Sequence, residues 1–205
     1  MADGTQRVAT PSVLMALREE RQVVRDGYRF LDEKRLLLAA EILRQLDDYE
    51  RRHRDYLGLH AQAEQALAAA SAELGLEGLQ VYPAQEQALA RLEVERRSFL
   101  GVRLQQSQLL TEETEETTSV LPSPAARRCA RLFRELLLRS AELAGISGNL
   151  ERLQNEYRRT ERRARALEDV LLPELEQALL EISTRLEELD QEEAIRVRLD
   201  YRRRG

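Results

Sequence analysis

The stretch Leu14–Ile42, LMALREERQVVRDGYRFLDEKRLLLAAEI, decides the fold. Its apolar positions Leu14, Leu17, Val24, Tyr28, Leu31, Leu38 and Ile42 advance in steps of three and four once Arg21 and Arg35 are counted into the empty slots. Side chains at that spacing share one stripe of a helix, and so regular a stripe is a seam that another helix must cover. The cover lies near the other end of the chain, where Leu143, Ile146, Leu150, Leu153, Tyr157, Thr160, Ala164, Leu167 and Leu171 keep the same rhythm. Two seams separated by a less regular middle bury each other most simply as an antiparallel pair with both termini at one tip. The expected fold is therefore mainly α: a long antiparallel two-helix coiled coil of N- and C-terminal helices, with a small middle region in which a short β-hairpin is the candidate structure. A rod of this kind has little room for a catalytic cleft, so a mechanical or connective role is expected.

Composition agrees. Among 205 residues, 34% are charged and only 4% aromatic, which suits helices packed two deep better than a thick globular core. The 32 basic and 37 acidic residues leave a formal charge of −5, a balance that gives no reason to expect nucleic acid as a partner. Arg202, Arg203 and Arg204 form a short basic run that suits a helix C-terminus. The single cysteine, Cys129, reads as a small apolar filler, since it has no internal partner for a disulfide. No apolar run approaches the ~20 residues that span a bilayer, and Met1 opens no secretory signal, so a cytoplasmic position without direct membrane insertion is expected. Lys34 is the only lysine in the chain.

Three parts follow from the punctuation. Thr10 and Pro11 make an N-cap and first helical position, opening a coiled-coil helix over residues 10–74 that would be on the order of 90 Å long at ~1.5 Å per residue. Within it, the alanine-rich stretch Ala61–Ala72 offers a narrow face to a close neighbour. Gly75, Gly78 and Pro83 then force a turn into a middle region, 75–123. There Val94–Leu104, with Phe99, Gly101 and Val102, reads as an edge or hairpin strand, although Ala84–Arg97 also reads acceptably as helix. The acidic run Thr111–Thr118 and the break Leu121-Pro-Ser-Pro124 read as a linker. The second coiled-coil helix covers 124–203, with Gly145 and Gly148 marking a kink or close crossing. Past Ala164 the apolar spacing becomes three, four, four through Leu167, Leu171 and Leu175, an eleven-residue rhythm that predicts a straighter coil. Pro173 falls inside this stretch, where either a helix ends and restarts or one helix bends and loses the bond from residue 173 back to residue 169; the unbroken apolar stripe favours the bend.

Chemistry is sparse. No phosphate-cradling glycine loop is followed by Lys-Ser or Lys-Thr, so no nucleotide or other cofactor is expected. His53 and His60 stand two helical turns apart, ~10 Å, too far to share a metal. Carboxylate groups such as Glu112, Glu113, Glu115 and Glu116 lack the pocket that would raise one pKa for acid–base work, so no catalytic residue is assigned. The densest basic patch, Arg158, Arg159, Arg162, Arg163 and Arg165, alternates with Glu156 and Glu161. Its plain reading is a solvated, ion-paired face, and its sharper one a docking surface for acidic loops of a partner.

Two segments carry a resemblance. Arg159-Thr-Glu-Arg-Arg-Ala-Arg-Ala-Leu-Glu168, followed by Val170, Leu171, Leu172 and Pro173, resembles the C-terminal helix of the D subunit of V/A-type rotary ATPases, matching at Thr160, Arg162, Arg163, Ala166, Leu167, Glu168 and Pro173. Gly27-Tyr-Arg-Phe-Leu-Asp-Glu-Lys-Arg-Leu-Leu-Leu38 is similar to that family's N-terminal motif at Gly27, Leu31, Lys34, Arg35 and Leu38. The chain departs from the pattern at Asp32, Leu36 and Arg165, as a divergent member would. The resemblance implies a central rotor stalk that carries torque between the catalytic A and B subunits and the membrane ring. It also implies contacts with the small F subunit of the central stalk and with the membrane-ring adaptor C/d, and it leaves ATP chemistry to the hexamer. The γ subunit of F-type ATPases would require a larger α/β domain between the helices. A freestanding coiled-coil scaffold or holdase-like chaperone requires only the seams and would assemble by itself.

Overall fold

The structure is a computed structural model and describes residues 8–81, 91–110 and 123–204. Pro83, the acidic run Thr111–Thr118 and the first two residues of the 121–124 break lie outside the described residues.

Helix α1 (Pro11–Val81) starts as its sequence dictates: Thr10 Oγ1 accepts from the Val13 N–H at 3.3 Å, and Pro11 fills the first position, where a missing donor leaves nothing unsatisfied. Ser123 caps α2 (Pro124–Ala166) in the same way, its hydroxyl accepting from the Ala126 N–H at 3.1 Å. Helix α1 carries one non-helical residue, Gly75, at φ 70°.

The chain divides into two compact units, Met1–Leu36 with Arg158–Gly205 and Leu37–Tyr157. In the first, Leu17 packs with Leu175, Leu179 and Ile182, flanked by Val13, Leu14, Val24, Leu171 and Leu186. The helices there run antiparallel: Arg25 pairs with Glu176 at 2.9 Å, and a Cβ placed on Gly27 would lie 3.7 Å from Leu167 Cδ1. In the second unit, Leu38 and Leu153 are fully buried against Val102 and Leu104, while Ala66 and Ala70 meet Ala126 and Cys129. The alanine face thus does what small side chains allow, and Cys129 fills a gap in it, its thiol pKa raised by burial. Every residue of both seams is buried or half-buried.

The middle carries a two-stranded antiparallel ribbon, β1 (Arg91–Phe99) and β2 (Val102–Leu110), in register from Arg91↔Leu110 to Phe99↔Val102. The single strand read over Val94–Leu104 is therefore two strands with their turn at its centre. Leu100 and Gly101 both take positive φ, 49° and 87°. A two-residue type I′ hairpin loop needs that at both positions, and only the glycine advertises it. Helix is excluded for Arg91–Arg97, which lies within β1.

Pro173 stands just past a π turn in a run that stays helical. Helix α2 continues into α3 (Leu172–Arg204) through a π turn at Leu167–Leu171, in which the Leu172 N–H donates to Leu167 O, five residues back. The spacing Leu167, Leu171, Leu175 spans eight residues where two α turns supply about seven. The π turn absorbs the extra residue just ahead of the proline, whose ring and missing N–H disrupt a regular ladder in any case. The same four–four spacing recurs at Ala178, Ile182 and Leu186 within regular α3, so the π turn, with the proline behind it, is what sets this point apart.

Candidate functional site

The motif positions fall on α1 and on the α2–α3 run. Within the first unit, Leu31, Lys34 and Arg35 are half-buried, Thr160 is buried, Leu167 is half-buried, and Arg162, Arg163, Glu168 and Pro173 face solvent. Across the helix pair the Tyr28 hydroxyl donates to the Glu168 carboxylate, which holds the phenol above its ordinary pKa. Gly27 is helical and its added methyl group would make only ordinary contact with Leu167, so packing within the chain leaves room for a larger residue. Leu38 belongs to the core of the second unit.

The three departures from the motif each have a local account. Asp32 accepts from Arg35 Nη2 at 2.6 Å, so the acid that replaces a lysine restrains the next motif residue. Arg165 donates to Glu161 at 2.8 Å. Leu36 is 62% exposed, an apolar side chain with little cover from its own chain.

The ion-paired reading of the arginine patch gives way at four positions. Arg165 is paired, but Arg158, Arg159, Arg162 and Arg163 are exposed and make no ion pair among the described residues. At 100° per residue they form a broad basic face opposite buried Thr160 and Ala164.

Polar residues that the seam analysis passed over hold the ribbon in the second unit. Glu41, only 8% exposed, accepts from Arg44, from Gln45 at 3.0 Å and from Arg97 of β1 at 2.8 Å. The Arg44 and Gln45 hydrogen bonds keep its carboxyl below the usual glutamate pKa, against the opposing effect of burial. Asn149 uses its amide as a strand would: Nδ2 donates to Gln105 O and Oδ1 accepts from Gln105 N–H, both at 2.7 Å. Ser107 donates to Ala141 O, and Gly145 lies so close beneath that a Cβ there would overlap Ser107 Oγ and stand 3.1 Å from Ser107 N. Gly145 thus marks a close crossing, of ribbon on helix. Arg52 bridges α1 to Glu142 of α2 at 2.6 Å. A polar cleft of about 430 Å³ lies beside these groups, lined by Arg44, Gln45, Asp48, Arg96 and Glu142 among others, and none of the motif residues reaches it. A sequence signal existed for Gly145 alone; Glu41, Gln45 and Asn149 look like solvated helix residues until the ribbon is placed.

His53 and His60 each sit beside a tyrosine four residues earlier, with ring centroids at 5.5 Å from Tyr49 and 6.1 Å from Tyr56. Among the described residues no cluster of metal-ligating side chains forms. No helix among them is long and apolar enough to cross a membrane.

From Glu187 to Arg203 every residue of α3 is exposed. Leu189, Ile195, Val197, Leu199 and Tyr201 lie in this segment, and at 100° per residue they are distributed around the whole helix instead of along one stripe.

Fold and positions together define a paired-helix protein with an attached β ribbon, its distinguishing residues strung along helices instead of gathered in a pocket. Comparison with known proteins narrows the class. The family model for the D subunit of ATP synthase matches residues 13–199, and the chain belongs to that family. It is 28% identical over 186 residues to the V-type ATP synthase D subunit of Thermotoga neapolitana, covering 90% of this chain and 92% of that one. It is 27% identical to the A-type ATP synthase D subunit of Methanoregula boonei, covering 92% of each, and 28% identical to that of Thermococcus gammatolerans, covering 97% and 94%.

Proposed function

We propose that this chain is the central rotor stalk of a V/A-type ATPase or ATP synthase, carrying torque between a catalytic A/B hexamer and the membrane ring while contributing no catalytic group itself. Family membership supports the assignment, and the observation that carries it furthest is the bare end of α3. A helix with apolar side chains on every side and no cover from its own chain suits a collar that surrounds it. Contacts made through mixed charge and scattered apolar groups let such a helix turn without settling into one deep well, because exposed ion pairs contribute only ~0–1 kcal/mol each.

In this reading residues 10–74 and 124–203 form the shaft, and residues 75–123 belong to the end that meets the small F subunit and the ring adaptor C/d. The motif residues on the two helices brace or dock the shaft, and the unpaired arginines face acidic loops of the A or B subunits. The protein then works at the membrane periphery, on the cytoplasmic side, as part of the soluble ATPase sector.

Native mass spectrometry on complexes captured with a tagged copy tests the assignment. One copy with three A and three B subunits is expected. A homodimer, or a complex lacking A and B, overturns the rotor reading in favour of a freestanding scaffold.

A further inference from the structure

The π turn at Leu167–Leu171 is more than an accommodation of Pro173. An α-helix resists changes in winding because each N–H ties one turn to the next. Here the Leu172 N–H reaches five residues back to Leu167 O, and position 173 supplies no donor at all, so two successive rungs are altered. Packing compensates only in part: Leu167 and Leu171 are half-buried, no residue of the turn is fully buried, and Val170 within it is 53% exposed. Both flanks are anchored: Thr160 and Ala164 are buried on one side, and Leu175, Leu179 and Ile182 on the other. A weakly braced segment between two well-packed ones is where a helix opens or rewinds first.

We propose that Leu167–Leu171 is a built-in joint, at which the α2–α3 run changes its winding while the packed segments on either side stay fixed, and that it is set jointly by the extra residue a π turn holds and by Pro173. In the rotor reading the load on the joint is torque; the joint itself does not depend on that reading.

Hydrogen exchange read at single-residue resolution on the full chain tests this. Amides 169–172 and 174 are expected to exchange about tenfold faster than those of 159–165 and 176–182. Deleting Val170 together with Pro173→Ala turns the four–four spacing into three–four, so a regular helix can carry the same seam, and the excess exchange should vanish. Uniform exchange in the unaltered chain, or an excess that survives in the deletion variant, overturns the proposal. If the deletion variant does not fold, Pro173→Ala alone restores one rung and should reduce the excess; no reduction overturns it equally. Complex stoichiometry, which decides the rotor reading, does not enter this measurement, so the two can fail separately.

Discussion

Glu41 is an acid set among buried side chains, and the donors around it explain why it is tolerated. A buried carboxylate is costly unless its oxygens are satisfied, and here Arg44, Gln45 and Arg97 satisfy them. Glu41→Gln should destabilise the protein by about 2 kcal/mol, read by urea denaturation at neutral pH. The pH dependence follows from the lowered pKa. Its contribution is complete above the ordinary glutamate range and is lost as pH falls through the lowered value. The variant should therefore lose that part of the acid limb of a stability–pH profile, and an unchanged limb would refute the role given to Glu41. Gly145 offers a second residue-scale test. On helix propensity alone, alanine should stabilise by up to ~1 kcal/mol. Gly145→Ala should instead destabilise by about 2 kcal/mol, because its methyl group overlaps Ser107 and pushes β2 away. A stabilised variant would show that the ribbon does not rest there.

At the scale of elements, legibility tracked periodicity. The two seams were readable because burial repeats every three to four residues, and the cap at Thr10 because it precedes a proline. The ribbon was half readable: β-favouring residues around Phe99 and Val102 signalled a strand, but a Leu-Gly turn carries a weaker signal than Asn-Gly. The π turn was not readable as such, since one inserted residue and an eleven-residue rhythm leave the same spacing over a short stretch. The polar clamp was also out of reach, because Asn149 and Glu41 acquire their roles only when a strand distant in sequence arrives beside them. Gly101→Ala tests the turn. Forcing a Cβ into φ 87° should cost about 1–2 kcal/mol, visible as a lower denaturation midpoint. An unshifted midpoint would mean that the ribbon contributes little to stability.

For the molecule as a whole, the motif residues on α1 and the α2–α3 run pointed to the family, while most of the contacts that hold the ribbon lie outside those motifs. Removing residues 190–205 should leave the denaturation midpoint of the isolated chain nearly unchanged, within about 0.5 kcal/mol, because residues 190–203 are all exposed. The same truncation should prevent capture of A and B subunits, and normal capture would count against the collar. Reversing charge at Arg162 and Arg163 should weaken that capture without lowering helix content by circular dichroism; undiminished capture would remove the arginine face from the docking surface. The grip of Asn149 on Gln105 has a consequence for how such a chain can diverge. The amide reads the peptide group of residue 105, not its side chain, so β2 can exchange residue types there over generations without loosening its hold. Position 149 has no such latitude: the clamp is lost with the one side chain that makes it.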